Sequence, residues 1–321
     1  MEIQVNVSLS DKNWFQTGGK ARFFCEPTTA EEFSYALNFA QKQSLELFVL
    51  GQGANILISD SGFEGLVIRP QLKTVVFNDT LVTAGAGVDI DDLIASSLNQ
   101  QLIGLEEFSG IPGSVGGAVY INIHYFQFLL SNFLVSAHVI NAKNGAVMQV
   151  DPAWFQFGYD QSALMASDYY LVDATFQLKK VDALQAAYAQ GRSVEIIRHR
   201  RQRYPYANTC GSFFRNFHDH EVPFLIEGKK ILFVAYYLDK LGVKGVLRVG
   251  NAIVSYQHAN MIVTQPGATS TDVVMLVQAM QQKVYDAYGI VPQAECQMIG
   301  FKQFPLISAM DNMHDQVQKA C

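Results

Sequence analysis

Residues 104–122 read GLEEFSGIPGSVGGAVYIN. Five glycines (Gly104, Gly110, Gly113, Gly116 and Gly117) and Pro112 fall among apolar residues. Glycine at this density lets a backbone take positive φ and approach a flat or charged surface closely. Ser109 and Ser114 add hydroxyl donors. Two structures fit: a concave nest of amides around phosphate oxygens, or a tight turn in a compact domain. A second glycine segment, VLGQGANILIS at residues 49–59, poses the same choice. Inward amides of Gly51, Gln52, Gly53 and Ala54, with the Asn55 side chain donating, suit a pyrophosphate. A turn that ends a strand explains them as well. Neither segment reads GxGxxG, so the nicotinamide-binding fingerprint is absent.

The chain around them has 321 residues, 49% hydrophobic and 16% charged, enough for two or three folded domains rather than a disordered chain. A net charge of −6 gives no electrostatic reason to bind nucleic acid. The four cysteines (Cys25, Cys210, Cys296 and Cys321) share no metal-ligand spacing, so neither a metal site nor a disulfide framework is expected, and the cytoplasm is the expected compartment. The N-terminus lacks the basic-then-apolar layout of a signal peptide. The uncharged run at residues 121–141 carries Asn122, His124, Gln127, Ser131, Asn132, Ser136 and His138, too polar for a membrane span.

Strands are expected at residues 22–26, 47–50, 56–59, 66–69, 74–77 and 81–84. Thr29 followed by Glu32 is a capping-box pattern for a helix carrying Phe33, Ala36, Leu37 and Ala40 on one face. Asp89 is expected to cap a second helix with Ile90, Leu93, Ile94 and Leu98 inward. Asn144-Gly145 between residues 135–141 and 146–150 signals a hairpin. Asp151-Pro152 reads as a cap and a first-turn proline. A strand at 170–178 precedes a helix at about 182–198 that ends in Arg198, Arg200, Arg201 and Arg203 before Tyr204-Pro205. Beyond lie an apolar run at 231–238, strands near 252–256 and 261–264, a helix at 271–288 carrying Val273, Leu276, Val277, Met280 and Val284, and a strand at 294–299. The irregular interleaving argues for an α+β fold rather than a Rossmann sheet.

Six blocks together resemble one family: NWFQTGGKARFF (13–24), VLGQGANILISDSGFEGLVI (49–68), the glycine stretch at 104–122, CGSFFRN (210–216), HANMIV (258–263) and ECQMIG (295–300). They fall in the order found in UDP-N-acetylenolpyruvoylglucosamine reductases. The resemblance implies an FAD-binding fold of the vanillyl-alcohol-oxidase type in two subdomains, residues 1–70 and 71–199. It implies a C-terminal α/β substrate-binding domain at 200–301, with 302–321 as a tail that is poorly ordered or docks a partner. The implied reaction is reduction of an enolpyruvyl ether to a lactyl ether, with NADPH as co-substrate and tightly bound, non-covalent FAD as cofactor. The implied partner is a sugar nucleotide in the same cleft, and the protein is expected to be a cytoplasmic monomer with no metal.

The resemblance also implies roles. Leu50, Gly51, Gln52, Gly53, Ala54, Asn55, Ile56, Ser59, Ile111, Pro112, Gly113, Ser114, Gly116 and Gly117 would line the FAD. Ser212 matches the proton donor; a serine hydroxyl is a poor acid in water, so position and a relay must assist it. A turn serine is the plain alternative. Glu295 matches a carboxylate that orients the enolpyruvyl group or stabilises the enol, with a raised pKa expected; an exposed strand glutamate is the alternative. Asn216, Arg203, Tyr159, His258 and Asn260 match or suit substrate-binding positions, Arg203 because its planar fork grips phosphates. A solvated helix end also explains the arginine cluster.

Two departures from the family stand out. Where the family shows Tyr-Arg-x-Ser with a catalytic arginine, this chain has Tyr159-Asp160-Gln161-Ser162. An unscreened carboxylate beside a developing enolate would raise the barrier by roughly several kcal/mol. Another positive group substitutes, or Asp160 points away, or the activity is altered. Residues 123–126, Ile-His-Tyr-Phe, replace the small residues usual after Asn122, and Tyr125 or His124 is a candidate contact to the diphosphate. Two other functions compete: a flavin-dependent oxidase or dehydrogenase of a sugar or alcohol, and a catalytically impaired flavin-binding homologue.

Overall fold

The computed structural model describes residues 1–307. The chain divides into two compact units, each built from separated segments. Elements are numbered along the whole chain.

The first unit comprises Met1–Val7, Ala21–Gln52 and Glu64–Arg200. Strands β1 (Gln4–Ser8), β2 (Lys20–Cys25), β3 (Leu47–Val49) and β5 (Phe63–Ile68) form a sheet in the order β1-β2-β5-β3. β3 runs parallel to β5. Helix α1 (Ala30–Lys42), between β2 and β3 in the chain, buries Phe33, Ala36, Leu37 and Ala40. Thr29 caps it by accepting from Glu32 N at 3.2 Å. The Glu32 carboxylate reaches one residue past the expected partner, to Thr28 N at 2.7 Å and Thr28 Oγ1 at 2.8 Å.

A second sheet in the unit is antiparallel throughout: β6 (Val75–Asn78), β7 (Leu81–Gly85), β11 (Leu134–Asn141), β12 (Val147–Val150) and β13 (Tyr169–Gln177), in the order β12-β11-β13-β7-β6. The β11–β12 connection turns at Asn144-Gly145, with Gly145 at φ +67°. Helix α2 (Ile90–Asn99) buries Ile90, Leu93, Ile94 and Leu98. Asp89 holds its N-cap position, but its side chain makes no cap bond. It accepts from Gln52 Nε2 and pairs with Lys73 at 3.7 Å instead, which corrects the capping expectation. β8 (Leu102–Ile103) pairs with β14 (Lys179–Lys180). The glycine stretch contains a helix, α3 (Val115–Ile121), followed by a small hairpin, β9 (His124–Tyr125) with β10 (Phe128–Leu129). Asp151 caps a 3-10 turn at Pro152–Phe155. Helix α4 (Ala183–Arg203) runs five residues past its expected end, through the arginines to Arg203.

The second unit comprises Ser8–Lys20, Gly53–Phe63 and the chain from Arg201 on. β15 (Arg248–Val249), β16 (Ala252–Val254) and β17 (Ile262–Thr264) form an antiparallel sheet. α6 (Ser270–Tyr288) buries the expected stripe Val273, Leu276, Val277, Met280 and Val284. The apolar run at 231–238 leads into α5 (Val234–Lys240). β4 (Ile56–Ile58) pairs in parallel with β18 (Gln297–Ile299). Phe15 and Leu57 share the core with Phe213, Phe214, Val277 and Cys296. Most of the tail expected at 302–321 lies outside the described residues. Among the described residues, no helix is long and apolar enough to cross a membrane.

Candidate active site

In the first unit the two glycine segments meet. A Cβ on Gly51 would stand 2.7 Å from Ser114 Oγ, the atom that caps α3 by accepting from Gly117 N at 3.3 Å. Gly51 is therefore small because Ser114 is there. The glycines of the second segment divide by role. Gly104 and Gly110 have positive φ and lie against Phe133 and Ile197. The Gly116 amide donates to Ala86 O at 2.8 Å, and its α-carbon packs on the same residue. Val115 N likewise donates to Val88 O at 2.8 Å. Gly113 and Gly117 differ. A Cβ on Gly113 would meet nothing within 4 Å, and one on Gly117 only Ser114 Oγ at 3.7 Å. The segment is thus a helix start anchored on the loop after β7, with two bare α-carbons. Ile111 and Pro112 are half-buried beside them, and Leu50 is buried, its amide bonded to Ile68 O at 2.8 Å.

The remainder of the first glycine segment belongs to the second unit. Gly53 takes φ +69°, and a Cβ there would lie 2.7 Å from Asn13 Cα and from Lys12 O, so packing requires the glycine. Ala54 is half-buried, and Ile56 is buried in β4. The Asn55 Oδ1 atom is buried with no partner among the described residues. Ser59 shares a hydrogen bond with Ser61 at 2.8 Å.

Ser212 and Glu295 come together in this unit. Glu295 N donates to Phe213 O at 2.9 Å, one residue after Ser212, and Phe214 bridges to Ala294. On its other side Ser212 bridges to Met261. Gln297 N donates to Asn55 O at 3.1 Å, which sets Glu295 two residues from the turn that carries Asn55. Both Ser212 and Glu295 are half-buried. The Asn260 side chain clamps the serine strand. Its Oδ1 accepts from Phe214 N at 3.1 Å and its Nδ2 donates to Phe214 O at 2.7 Å. Both ends of the buried amide are thereby engaged with backbone.

His258 is half-buried beside Tyr204, ring centroids 5.4 Å apart. Burial first, then Arg203 and Lys244, push its pKa down to about 4, so it is neutral near pH 7. Arg203 is exposed at the end of α4, and Asn216 is exposed with its carbonyl bonded to Arg215 at 3.0 Å. Cys210 and Cys296, which flank Ser212 and Glu295 in the chain, are buried side by side as free thiols. Burial and the neighbouring Cys210 raise the Cys296 pKa well above the thiol range, so it packs rather than reacts.

Asp160 lies in the first unit beside His124. It sits at φ +51° in the turn closed by Gly158 and Gln161, and its Oδ1 lies 3.1 Å from His124 Nδ1. Tyr159, 61% exposed, packs its ring on His124 at 4.4 Å. The sequence marked both departures but carried no sign that they touch. Among the described residues, no cluster of His, Cys, Asp or Glu could hold a metal ion.

Residues 202–299 match the family described as UDP-N-acetylenolpyruvoylglucosamine reductase, C-terminal domain, and residues 21–151 match the FAD binding domain family. A UDP-N-acetylenolpyruvoylglucosamine reductase of Synechococcus sp. (strain JA-3-3Ab) is 32% identical over 95% of this chain and 94% of its own. One from Lactobacillus delbrueckii subsp. bulgaricus is 34% identical over 94% of this chain and 96% of its own. The crystal structure of the Thermus caldophilus enzyme superposes with a TM-score of 0.74 at 27% identity, covering 93% of this chain and 100% of that one. With an α+β FAD-binding domain followed by this C-terminal domain, and relatives aligned nearly end to end, the chain belongs to the UDP-N-acetylenolpyruvoylglucosamine reductase family of FAD-dependent oxidoreductases.

Proposed function

We propose that the protein reduces UDP-N-acetylenolpyruvoylglucosamine to UDP-N-acetylmuramate with NADPH, in the cytoplasm, as a step toward peptidoglycan. The observation that carries this reading is the bond from Glu295 N to Phe213 O at 2.9 Å, which brings the family's acid and hydroxyl positions to neighbouring backbone. In the first unit the residues present fit FAD: Gly113 and Gly117 offer bare α-carbons. Bound FAD supplies hydride-carrier chemistry. The chain's own work is then to hold the sugar nucleotide and deliver a proton.

Reduction of the enolpyruvyl double bond adds a hydride at one carbon and a proton at the other. Ser212 Oγ–H would donate that proton, and Glu295, on neighbouring backbone, would orient the enolpyruvyl group or, in its protonated form, stabilise the enol. Asn260 fixes the serine strand through Phe214, which keeps the hydroxyl in place without a flexible linker. Arg203, at the exposed end of α4, would meet the UDP phosphates.

The test is anaerobic mixing of the FAD-loaded protein with NADPH and the enolpyruvyl sugar nucleotide. NADPH oxidation that depends on the sugar nucleotide is expected, and Ser212→Ala should lower kcat by about 100- to 10,000-fold, the usual span for loss of a general acid. If NADPH is not consumed, or if the reduced flavin instead reoxidises rapidly in oxygen with an alcohol as donor, the reading fails.

A further inference from the structure

The two departures from the family pattern form one structure. His124 Nδ1 meets Asp160 Oδ1 at 3.1 Å, and the Tyr159 ring backs the imidazole at 4.4 Å. The side chains of His124 and Asp160 are 24% and 22% exposed, so the pair is partly desolvated and keeps an open edge. Because Nδ1 faces the carboxylate, Nε2 on the far side of the ring is aimed away from it.

The pair is fixed to the glycine segment. Asn122 Nδ2 donates to Gly158 O at 3.0 Å, and Ser162 Oγ donates to Tyr120 O at 2.6 Å. Both tie the 158–162 turn to the end of α3, a helix only about 10 Å long, whose other end carries Ser114 and the bare Gly113 and Gly117. Charged groups on the flanking elements are engaged elsewhere. Arg192 holds Glu107 at 2.9 Å, Glu106 accepts from Gly104 N at 2.6 Å, and Arg200 lies over the Tyr125 ring at 5.4 Å while donating to Gly110 O at 3.2 Å. Opposite His124 in the hairpin stands Leu129, which carries no charge.

We propose that His124 takes over the contact that Asp160 cannot make: its ring, oriented by Asp160 through Nδ1 and backed by Tyr159, bonds through Nε2–H to the carboxylate of the substrate's enolpyruvyl group. This inference rests on the reductase reading. It assigns His124 as a substrate-contacting residue and Asp160 as its positioning residue. Asp160 is then not isolated: its carboxylate holds the ring that makes the contact.

Two ligands separate this role from others: UDP-N-acetylenolpyruvoylglucosamine carries the carboxylate, and UDP-N-acetylglucosamine lacks it. Calorimetric titration of the FAD-loaded protein should show that His124→Gln loses about 10- to 100-fold in affinity for the first, the span of a charge-assisted hydrogen bond, and less than about twofold for the second. The double variant His124→Gln/Asp160→Arg should recover the preference. Should His124→Gln fail to fold, Asp160→Asn read in the same titrations must weaken the preference. A preference unchanged in His124→Gln, or an equal loss for both ligands, overturns the proposal and leaves the reductase reading intact. A wild-type protein that binds neither nucleotide overturns both.

Discussion

At the residue scale the second unit holds one titrating group whose effect on stability is calculable. The folded chain keeps His258 neutral until pH falls to about 4, whereas an unperturbed histidine takes its proton at 6.5. Between those values the unfolded chain binds more protons than the folded one, so acidification favours unfolding. The contribution of His258 is complete above 6.5 and is lost as pH falls to about 4; the shift corresponds to ~3 kcal/mol. The melting temperature of the wild type should fall more steeply than that of His258→Gln across this window. Parallel curves would show that the buried imidazole does not titrate as described. The sequence exposed His258 as a residue of interest but not its neutrality, because that follows from burial beside Tyr204 and from Arg203 and Lys244, none of them adjacent in the chain.

At the element scale, the N-terminus of α6 is satisfied twice. Thr269 and Asp272 form the capping box that local sequence encodes. Asp60, far away in the chain, adds bonds from Ser270 N at 2.8 Å, Thr271 N at 2.8 Å and Thr271 Oγ1 at 2.7 Å. Asp60→Ala should therefore cost about 1–2 kcal/mol, the range for a lost cap carboxylate near the positive helix end. Urea unfolding would measure it, and a midpoint unchanged from wild type would refute the assignment. Elements with strong periodicity were legible: the residues that spacing alone predicts are buried in α1, α2 and α6, and α6 adds Ser270, Val274 and Gln281, α2 Ser97. α3 was hidden because Gly116 and Gly117 are poor helix formers, and only its packing on Ala86 and Val88 makes the helix. Asp89 misled for the opposite reason: it has the right residue type at the right place, but Gln52 and Lys73 compete for its carboxylate.

At the scale of the whole molecule, the sequence showed the parts of the candidate site but not their pairing. The ladder of β4 with β18 and the bond from Glu295 to Phe213 join residues more than about 80 positions apart, and no local pattern encodes such pairings. What the six blocks could convey, through resemblance, was the expectation of bound FAD. That has a consequence for stability, because a ligand bound only by the folded chain stabilises it by mass action. FAD added to flavin-free protein at about 100 times its dissociation constant should add about 2.7 kcal/mol, seen as a rise in melting temperature of several degrees. Gly117→Leu tests whether the glycine segment is responsible. A Cβ at Gly117 meets only Ser114 Oγ at 3.7 Å, and leucine favours a helix by up to about 1 kcal/mol over glycine. The flavin-free variant should thus melt at or above the wild-type temperature, while its response to FAD disappears. A variant that still rises with FAD would place the cofactor elsewhere, and one that melts lower without FAD would show that Gly117 serves packing, as Gly116 does against Ala86.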